Sequence, residues 1–288
     1  MANAPIATKA TPAGFDDVGG LRGLRGLRGI RGMGGIDSMN GMNGIRWHAR
    51  RSSKRDKLPA MRHVIVTRFS VPRLDPATAP LHADRRWLDG RLAPFRTYYV
   101  PSVQRLRVPV VLLCSSQSAE YVSRRLADLK WLSIVVQDGW YGGWRGSPEQ
   151  IVTRLDSDDA LHEDWFRRLD DAAEAAVAAG AEVLCTKDFL RLDARTGRVH
   201  AFRRREPSPL AAFLRGANPF AHDHKVLERH YRTHCLPGPY LLQVVHGGNL
   251  ANRPPAWWRF HRRVPPARLA AFGVTPPGET GEPSAVEA

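Results

Sequence analysis

The hydrophobic positions of the chain change spacing several times between residues 61 and 262. Four short runs are rich in β-branched or aliphatic residues and are predicted to be strands: 63–69, 108–116, 131–138 and 151–155. The run 108–116 has the composition of a buried strand. Between these runs, at 84–99 and 118–129, apolar residues recur every three or four positions, as they do on one face of a helix. This alternation predicts an α/β domain with a mainly parallel sheet flanked by helices.

The pattern after the fourth run predicts one long helix and then an antiparallel addition. Helical spacing extends from about His162 to Ala179, and Gly180 follows as a helix stop. The segments 181–193 and 198–204 are strand-like and flank a short turn, which is typical of a hairpin. Because ligands bind at the carboxyl ends of strands in such sheets, the residues just after the fourth run are candidates for a site.

Composition separates this central region from both ends of the chain. Of the 288 residues, 43% are hydrophobic, which is sufficient for a folded core. Residues 1–60 include the triplet repeat LRGLRGLRGIRGMGG, and residues 263–288 are rich in Pro, Gly and Glu. Both ends are therefore predicted to be disordered tails, one Arg/Gly-rich, around a folded domain at 61–262.

The chain is strongly basic, and much of the excess charge lies in the first tail. The formal net charge is +15, and residues 1–60 contribute about +7 from eleven Lys and Arg against four Asp. An Arg/Gly tail is able to contact RNA, so a nucleic-acid-binding protein is one alternative function. The repeat lacks interleaved aromatic residues for base stacking, and no helix-turn-helix, RRM or zinc-finger pattern is present, which disfavours this alternative.

Apolar run length and cysteine spacing predict the cellular setting. No run of about 18 apolar residues is present, and no apolar signal region is found at the N-terminus. Cys114, Cys185 and Cys235 are far apart, odd in number and in no CxxC pair, which disfavours a disulfide framework and a zinc knuckle. We therefore expect a cytoplasmic protein, with at most peripheral contact to the inner face of the membrane through basic surface.

Asp156, Asp158 and Asp159 lie within four positions directly after the fourth strand run. Carboxylates this close repel one another, and a bound cation is the usual compensation. An EF-hand is excluded because Ala160 occupies a ligand position and the required Gly and Glu are absent. The same alanine disfavours a phosphatase-type motif, and helix capping explains one aspartate rather than three. The DxD spacing suits Mg²⁺ or Mn²⁺ that carries a diphosphate.

Four blocks of the chain resemble a bacterial rhamnosyltransferase family that is similar to the GT-A class of nucleotide-sugar glycosyltransferases. The blocks are VTRFSV on the first strand, RRWLDGRLAPFRTYYVPSVQ at 85–104, TRLDSDDALHEDW at 153–165 and VHGGNLAN at 245–252. The resemblance covers about residues 62–260. It implies a GT-A-like (Rossmann-like) fold and an enzyme that moves a sugar, rhamnose by the family name, from a nucleoside diphosphate donor to a glycan or lipid-linked acceptor.

The resemblance also implies a divalent cation, Mn²⁺ or Mg²⁺, and roles for the residues around it. Asp158 is the expected direct ligand, and His246 completes the cation site from far along the chain. Asp156 is expected to bind ribose or sugar hydroxyls, or the cation through water. Asp159 is expected to share the cation or to cap the following helix.

The remaining expected roles concern the nucleotide and the acceptor. Thr67 and Arg68, at the end of the first strand, are expected to hold the nucleotide. Arg154 is expected near the diphosphate, although neutralisation of the neighbouring aspartates explains it equally well. If the enzyme inverts configuration, Asp223 in NPFAHDHK is the candidate base, and a loop aspartate paired with its neighbours is the alternative. A metal-dependent phosphohydrolase that uses the same acids without an acceptor is a further alternative function.

Overall fold

Strands and helices alternate in the computed structural model, which describes residues 62–71, 76–139, 144–247 and 263–275. The strands of these residues are β1 (Arg62–Ser70), β2 (Val110–Cys114), β3 (Leu132–Val136), β4 (Gln150–Arg154), β5 (Ala160–Leu161), β6 (Val183–Thr186), β7 (Asp188–Asp193), β8 (Arg198–Arg203), β9 (Ala211–Phe213), β10 (Thr233–Leu236), β11 (Leu241–Val245) and β12 (Arg263–Val264). The α-helices are α1 (Arg85–Pro94), α2 (Val100–Gln104), α3 (Ala119–Arg125), α4 (Trp165–Ala178) and α5 (Leu227–His230). Shorter helical segments cover Pro76–Ala83, Phe95–Tyr99, His224–Val226 and Pro266–Phe272.

The larger sheet has seven strands in the order β10-β6-β9-β4-β1-β2-β3. β1 pairs in parallel with β2 and β4, β2 pairs in parallel with β3, and β6 pairs in parallel with β10. In this sheet β9 runs antiparallel to both of its neighbours, and the smaller sheet, β12-β8-β7-β11-β5, is mostly antiparallel. The topology confirms the predicted α/β fold class, a mainly parallel sheet flanked by helices with an antiparallel C-terminal addition.

Both faces of the central strands of the larger sheet are covered, as their continuous apolar runs require, whereas the edge strand β3 is largely exposed. One face packs against α1, α3 and α4 through a cluster that includes Leu88, Val122 and Trp165. The other face packs against the segment that carries α5, with Phe220 and Leu227 in the cluster. The strands are therefore held from both sides, and their carboxyl ends are positioned by a buried core.

The helix predicted over 84–99 is interrupted near its middle. α1 ends at Pro94, and Phe95–Tyr99 form a wider π-type turn in which the Val100 N–H donates to Phe95 O. Pro94 has no N–H to donate and its ring crowds the preceding turn, so regular α-helical pairing is disfavoured here. The predicted apolar stripe is nevertheless buried, because the side chains of this turn still face the core.

The long helix predicted after the fourth strand is present as α4, but it begins at Trp165. The backbone N–H groups of His162 and Glu163 donate to Tyr240 O and Ala271 O, at 3.0 and 2.9 Å. These bonds to distant segments engage the residues before α4, which form a turn that the Trp165 N–H closes on His162 O at 3.1 Å instead of a first turn of the helix. The helix start was therefore set by tertiary contacts that local spacing does not reveal.

The predicted hairpin is confirmed for β7 and β8, but its first arm is divided between the two sheets. β6 pairs with β9 and β10 in the larger sheet, whereas β7 pairs with β8 in the smaller one. The chain bends after Thr186, whose Oγ1 lies 2.9 Å from Asp188 O and 2.7 Å from Gly238 O. This threonine bonds locally instead of continuing the strand, which separates one apolar run into two strands.

Residues 263–275 are ordered, which differs from the disorder predicted from residue 263. β12 pairs antiparallel with β8, and Leu269, Phe272 and Val274 are buried against the smaller sheet. The average composition of the C-terminal region did not predict this segment. A few well-spaced apolar residues are sufficient to dock a short helical turn on an existing core, even where the surrounding sequence is polar. Residues 1–61 and 276–288 lie outside the described residues, so the two predicted tails stay predictions.

The described helices are short. α4 has 14 residues, and charged residues lie between its buried residues along the sequence. Within the described ranges, no helix combines the length and the apolar composition that crossing a bilayer requires.

Candidate active site

The carboxyl ends of β1 and β4 bring predicted site residues to one edge of the larger sheet. Val66 is the last β1 residue that pairs with β4, and it lies opposite Arg154. Thr67 and Arg68 follow on β1, and Asp156 follows two positions after Arg154. The edge therefore carries two arginines and the first carboxylate of the loop, at the position where α/β sheets bind ligands.

Asp159 links this loop to the smaller sheet. Its Oδ1 accepts a hydrogen bond from the Val244 N–H on β11 at 3.0 Å, and the side chain is 2% exposed. The next two residues form β5, which pairs antiparallel with the same strand. Asp159 does not cap α4, whose N-cap position is held by Asp164. Of its two expected roles, helix capping is therefore wrong, because the carboxylate instead accepts the Val244 N–H of the smaller sheet.

His246 contacts Asp158 where β11 ends. The imidazole Nε2 lies 3.3 Å from Asp158 Oδ2, and the two side chains are 12% and 19% exposed. β11 ends at Val245, so the pairing of β11 with β5 delivers the histidine directly to the loop. Residues separated by 88 positions in sequence thus meet at the edge where Asp156 also lies.

The three carboxylates differ in their electrostatic surroundings. Burial, reinforced by the negative charges of its neighbours, raises the pKa of Asp159 well above its usual value, and burial with the charge of Asp158 raises the pKa of Asp156. Burial acts in the same direction on Asp158, but its hydrogen bond with His246 and the charge of Arg91 outweigh it, so the pKa of Asp158 is lowered. The folded structure therefore disfavours the ionised form of Asp156 and of Asp159.

Asp158 and His246 supply two donor atoms that could hold a divalent cation if its remaining ligands came from a bound molecule. Within the residues that the structure describes, no group of three or more His, Cys, Asp and Glu side chains is arranged to hold a metal. Asp158 Oδ2 and His246 Nε2 form a pair, and donors that each lie about 2.0–2.2 Å from one ion, at right angles, are about 3 Å apart. Mg²⁺ commonly combines one or two protein ligands with waters and phosphate oxygens.

Thr67 and Arg68 use their side chains differently. Thr67 is fully buried, and its Oγ1 lies 2.7 Å from the Tyr99 hydroxyl. Burial raises the pKa of that tyrosine, so its proton stays in place at neutral pH. The Arg68 guanidinium carbon lies 4.5 Å above the centre of the Phe220 ring. Thr67 therefore anchors β1 to the helical segment, while the positive charge of Arg68 lowers the pKa of Asp156.

Arg154 connects the end of β4 to the segment that holds Asp223. It is 4% exposed, and its Nη1 donates to Pro219 O and His222 O at 2.9 and 3.1 Å. Burial lowers the pKa of Arg154, and the charges of Asp156 and Asp223 act against this shift. The arginine is thus a buried positive charge that influences both the carboxylate loop and the candidate base.

Asp223 begins a short helical turn instead of pointing freely into a cleft. Its Oδ1 accepts from the Lys225 N–H at 3.0 Å and lies 3.2 Å from His224 Nδ1, and 63% of the side chain is exposed. Burial opposes its charge, but the Lys225 N–H and the charges of His224 and Arg154 outweigh burial and lower its pKa. Asp223 is therefore ionised and accessible at neutral pH, and it is also bonded to its neighbours.

Arg91 is a site residue that motif reasoning missed. It lies on α1, and its Nη2 donates to Ser157 Oγ, inside the carboxylate loop, at 2.6 Å. The guanidinium carbon lies 5.5 Å from the Phe69 ring centre and 5.2 Å from that of Trp87. Its buried Nε has no hydrogen-bond partner among the described residues. The sequence feature that could have identified Arg91 is its position next to Leu92, on the helix face that is otherwise buried.

A buried polar pair supports the loop from the smaller sheet. Arg191 Nε donates to Gln243 Oε1 at 2.6 Å, and both side chains are buried on neighbouring strands β7 and β11. Burial lowers the pKa of Arg191 to about 10, and the nearby charge of Asp159 opposes the shift. This arginine was also missed, because nothing in the local sequence separates it from surface arginines of a hairpin.

No family model and no curated protein sequence matches the chain. Among solved structures, TarS 1–349 from S. aureus is similar at 12% identity over 64% of this chain and 60% of that chain, with a TM-score of 0.34, and it has been solved with UDP-GlcNAc and with UDP. Rv0371c from Mycobacterium tuberculosis H37Rv is similar at 14% identity over 65% of this chain and 91% of that chain, with a TM-score of 0.36, and it has been solved with manganese.

Proposed function

We propose that the protein is a metal-dependent glycosyltransferase that moves a sugar from a nucleoside diphosphate donor to a hydroxyl group of a glycan or lipid-linked acceptor. The observation that carries this proposal is the contact between Asp158 and His246 at the carboxyl edge of the sheet, beside Asp156 and the buried Asp159, whose pKa values are both raised. A divalent cation compensates such a cluster and brings the diphosphate to it. The family resemblance favours rhamnose as the transferred sugar.

Asp158 and His246 would hold the cation in this proposal, with diphosphate oxygens as its further ligands. When bound, the cation supplies Lewis-acid stabilisation of the leaving diphosphate. Asp156 binds hydroxyl groups of the ribose or the sugar, for which its acceptor oxygens are suited. Asp159 keeps β11 aligned with the loop through the Val244 N–H and adds negative charge beside the cation.

The arginines and Asp223 would act on the donor and the acceptor. Arg68, Arg91 and Arg154 place positive charge along the edge where the nucleotide diphosphate is expected. Thr67 acts as an anchor of β1 through Tyr99. Asp223 takes the proton of the acceptor hydroxyl as the new glycosidic bond forms, which requires that the reaction inverts the anomeric configuration.

A thermal-shift panel tests the proposal on the full chain. UDP, UDP-GlcNAc, GDP-mannose and dTDP-rhamnose are each added with Mn²⁺ or with EDTA. At least one ligand is expected to raise Tm in Mn²⁺ and not in EDTA, because a ligand that binds only the folded state stabilises it. Equal shifts under both conditions would contradict the role of the cation.

A product assay separates the proposed function from the phosphohydrolase alternative. With the stabilising donor and an acceptor mixture, transfer of the sugar to an acceptor is expected. Phosphate release that is independent of any acceptor would instead identify a hydrolase. Asp158→Asn is expected to abolish transfer, and Asp171→Asn, on the exposed face of α4, is the matched control that should retain it.

A further inference from the structure

Cys185 and Cys235 lie opposite each other on neighbouring strands that do not carry the carboxylate loop. In the parallel β6–β10 pair, the two cysteines are in register. Adjacent strands are about 4.7–4.9 Å apart, which is within the Cα–Cα range of about 4.4–6.8 Å for disulfides. Both side chains pack in the cluster on the same face of the sheet, so the two sulfur atoms are on one side.

The two thiols differ in access to solvent. Cys185 is fully buried, whereas Cys235 is half-buried on β10, which ends the larger sheet in the described part of the chain. Cys235 Sγ lies 4.0 Å from Glu228 Oε1, and the same carboxylate pairs with Lys187 Nζ at 2.7 Å. A small oxidant therefore reaches Cys235 first, and Cys185 lies directly behind it.

The two thiols titrate as a pair, and the proton leaves the more exposed member. The hydrogen bond from Cys185, followed by the charge of Lys187, lowers the pKa of Cys235 despite burial. The same hydrogen bond and burial raise the pKa of Cys185. By contrast, burial raises the pKa of Cys114 to about 12, so this third thiol is not activated.

We propose that Cys185 and Cys235 form an oxidation site that closes to a reversible disulfide between β6 and β10 in the presence of a peroxide. The Cys235 thiolate attacks the O–O bond of hydrogen peroxide, which gives a sulfenic acid and hydroxide. The Cys185 thiol then attacks the sulfenic sulfur, the S–S bond forms, and the sulfenic oxygen leaves as water. Two thiols are oxidised, one peroxide is reduced to two waters, and a thiol reductant reverses the reaction.

The disulfide would fasten a strand that connects two parts of the candidate site. β10 follows the segment that contains Asp223 and precedes β11, which ends beside His246. The bond would also close a loop that includes β7, β8 and β9. This inference does not depend on the proposed glycosyltransferase activity, because it rests only on the β6–β10 pair.

Peptide mapping under non-reducing conditions tests the proposal. The reduced full chain is treated with hydrogen peroxide, free thiols are alkylated, and the digest is analysed by mass spectrometry. One disulfide that joins the Cys185 and Cys235 peptides is expected, with Cys114 alkylated and with full reversal by dithiothreitol. A wild-type protein that yields no such cross-link, or one that cross-links through Cys114, would overturn the proposal.

Single substitutions assign the order of the two steps. In Cys185→Ser, which keeps a hydroxyl donor beside Cys235 but cannot form a disulfide, dimedone is expected to trap a sulfenic acid at Cys235, whereas Cys235→Ser should show no sulfenic acid at Cys185. Cys114→Ser is the matched control and should form the cross-link as the wild type does. Equal peroxide reactivity of Cys235 and Cys114 would contradict the activating role of the pair. The Tm of each reduced variant verifies that it is folded, and the wild-type mapping stands without any variant.

Discussion

At the scale of single residues, the carboxylate loop holds negative charge that its protein partners balance unequally. Asp158 has a partner in His246, and its pKa is lowered. Asp156 and Asp159 have raised pKa values because they are buried beside other carboxylates. The folded state is therefore less stable at neutral pH than the same fold without one of these charges.

Asp159→Asn is expected to raise the Tm of the cation-free protein by about 2 °C or more. The asparagine oxygen can still accept the hydrogen bond from the Val244 N–H, while the repelling charge is removed. Differential scanning fluorimetry in EDTA measures the effect. Asp158→Asn is the matched control and should give a smaller rise or a loss, because it removes the carboxylate whose pKa the His246 contact lowers.

The gain from Asp159→Asn should depend on pH in a defined direction. Because folding raises the pKa of Asp159, its ionised form destabilises the folded state above that pKa. This cost disappears as the pH falls through the raised pKa towards the unfolded value of about 3.9. The Tm difference between variant and wild type should shrink as the pH is lowered from neutral. A difference that stays constant over this window would show that charge is not its cause.

Arg91→Lys is expected to weaken nucleoside diphosphate binding about 10-fold or more, since lysine cannot reproduce a two-nitrogen contact with phosphate oxygens. Arg91 already reaches Ser157, and its Nε has no partner among the described residues. Isothermal titration calorimetry with UDP and Mn²⁺ measures the change. Arg96→Lys, which alters an exposed arginine paired with Asp128, is the control and should bind as the wild type does.

At the scale of elements, strands with continuous apolar runs were predictable, and elements defined by distant partners were not. β1, β2, β3 and β4 lie within a few residues of their predicted positions, because each of these strands carries its own β-branched or aliphatic run. β9, with three residues, is a strand only because β4 and β6 pair with both of its sides. The start of α4 depends on backbone bonds to Tyr240 and Ala271, which lie far away in sequence.

The candidate site likewise contains features that could be predicted from the sequence and features that could not. The aspartate cluster was predictable because three like charges after an apolar strand are locally unusual. The attachment of Asp159 to the Val244 N–H was not, because it depends on the pairing of β5 with β11. The half-buried Arg91 and the buried Arg191 were missed because their positions depend on which face of an element is covered.

Gly273→Ala is expected to destabilise the protein by about 1–3 kcal/mol. Gly273 ends the docked segment Pro266–Phe272 with φ +68°, and a Cβ there would lie 2.9 Å from Pro101 O. Gly90→Ala in α1 is the control, because no heavy atom lies within 4 Å of the added Cβ, and it should stabilise by up to about 1 kcal/mol. Urea unfolding measures both. An unchanged Gly273→Ala variant would show that this segment is not part of the cooperative fold.

At the scale of the whole molecule, the basic excess and the candidate site belong to different parts of the chain. Residues 1–60 carry about +7 of the net charge of +15, whereas the carboxylate loop is held by strands that begin at Arg62 or later. Arginines of the folded part, including Arg68 and Arg154, lie at the candidate site. The two regions therefore suit different partners, and they can be tested separately.

Deletion of residues 1–58 is expected to leave Tm, the circular dichroism spectrum and donor binding unchanged. The reason is that the described core clusters are built from residues 64–274. Thermal unfolding and a UDP titration on the shortened chain measure this. The same deletion should remove any salt-dependent binding of RNA by the full chain. A shortened protein that loses donor binding, or that keeps RNA binding, would show that the two regions are not separate.

The most direct measurement of the central claim is a crystal structure with UDP and Mn²⁺, with anomalous scattering used to locate the ion. The account predicts one anomalous peak about 2.0–2.3 Å from Asp158 Oδ2 and His246 Nε2, with diphosphate oxygens among its other ligands. A diphosphate bound at this edge without the ion, or an ion bound only by other residues, would contradict the account.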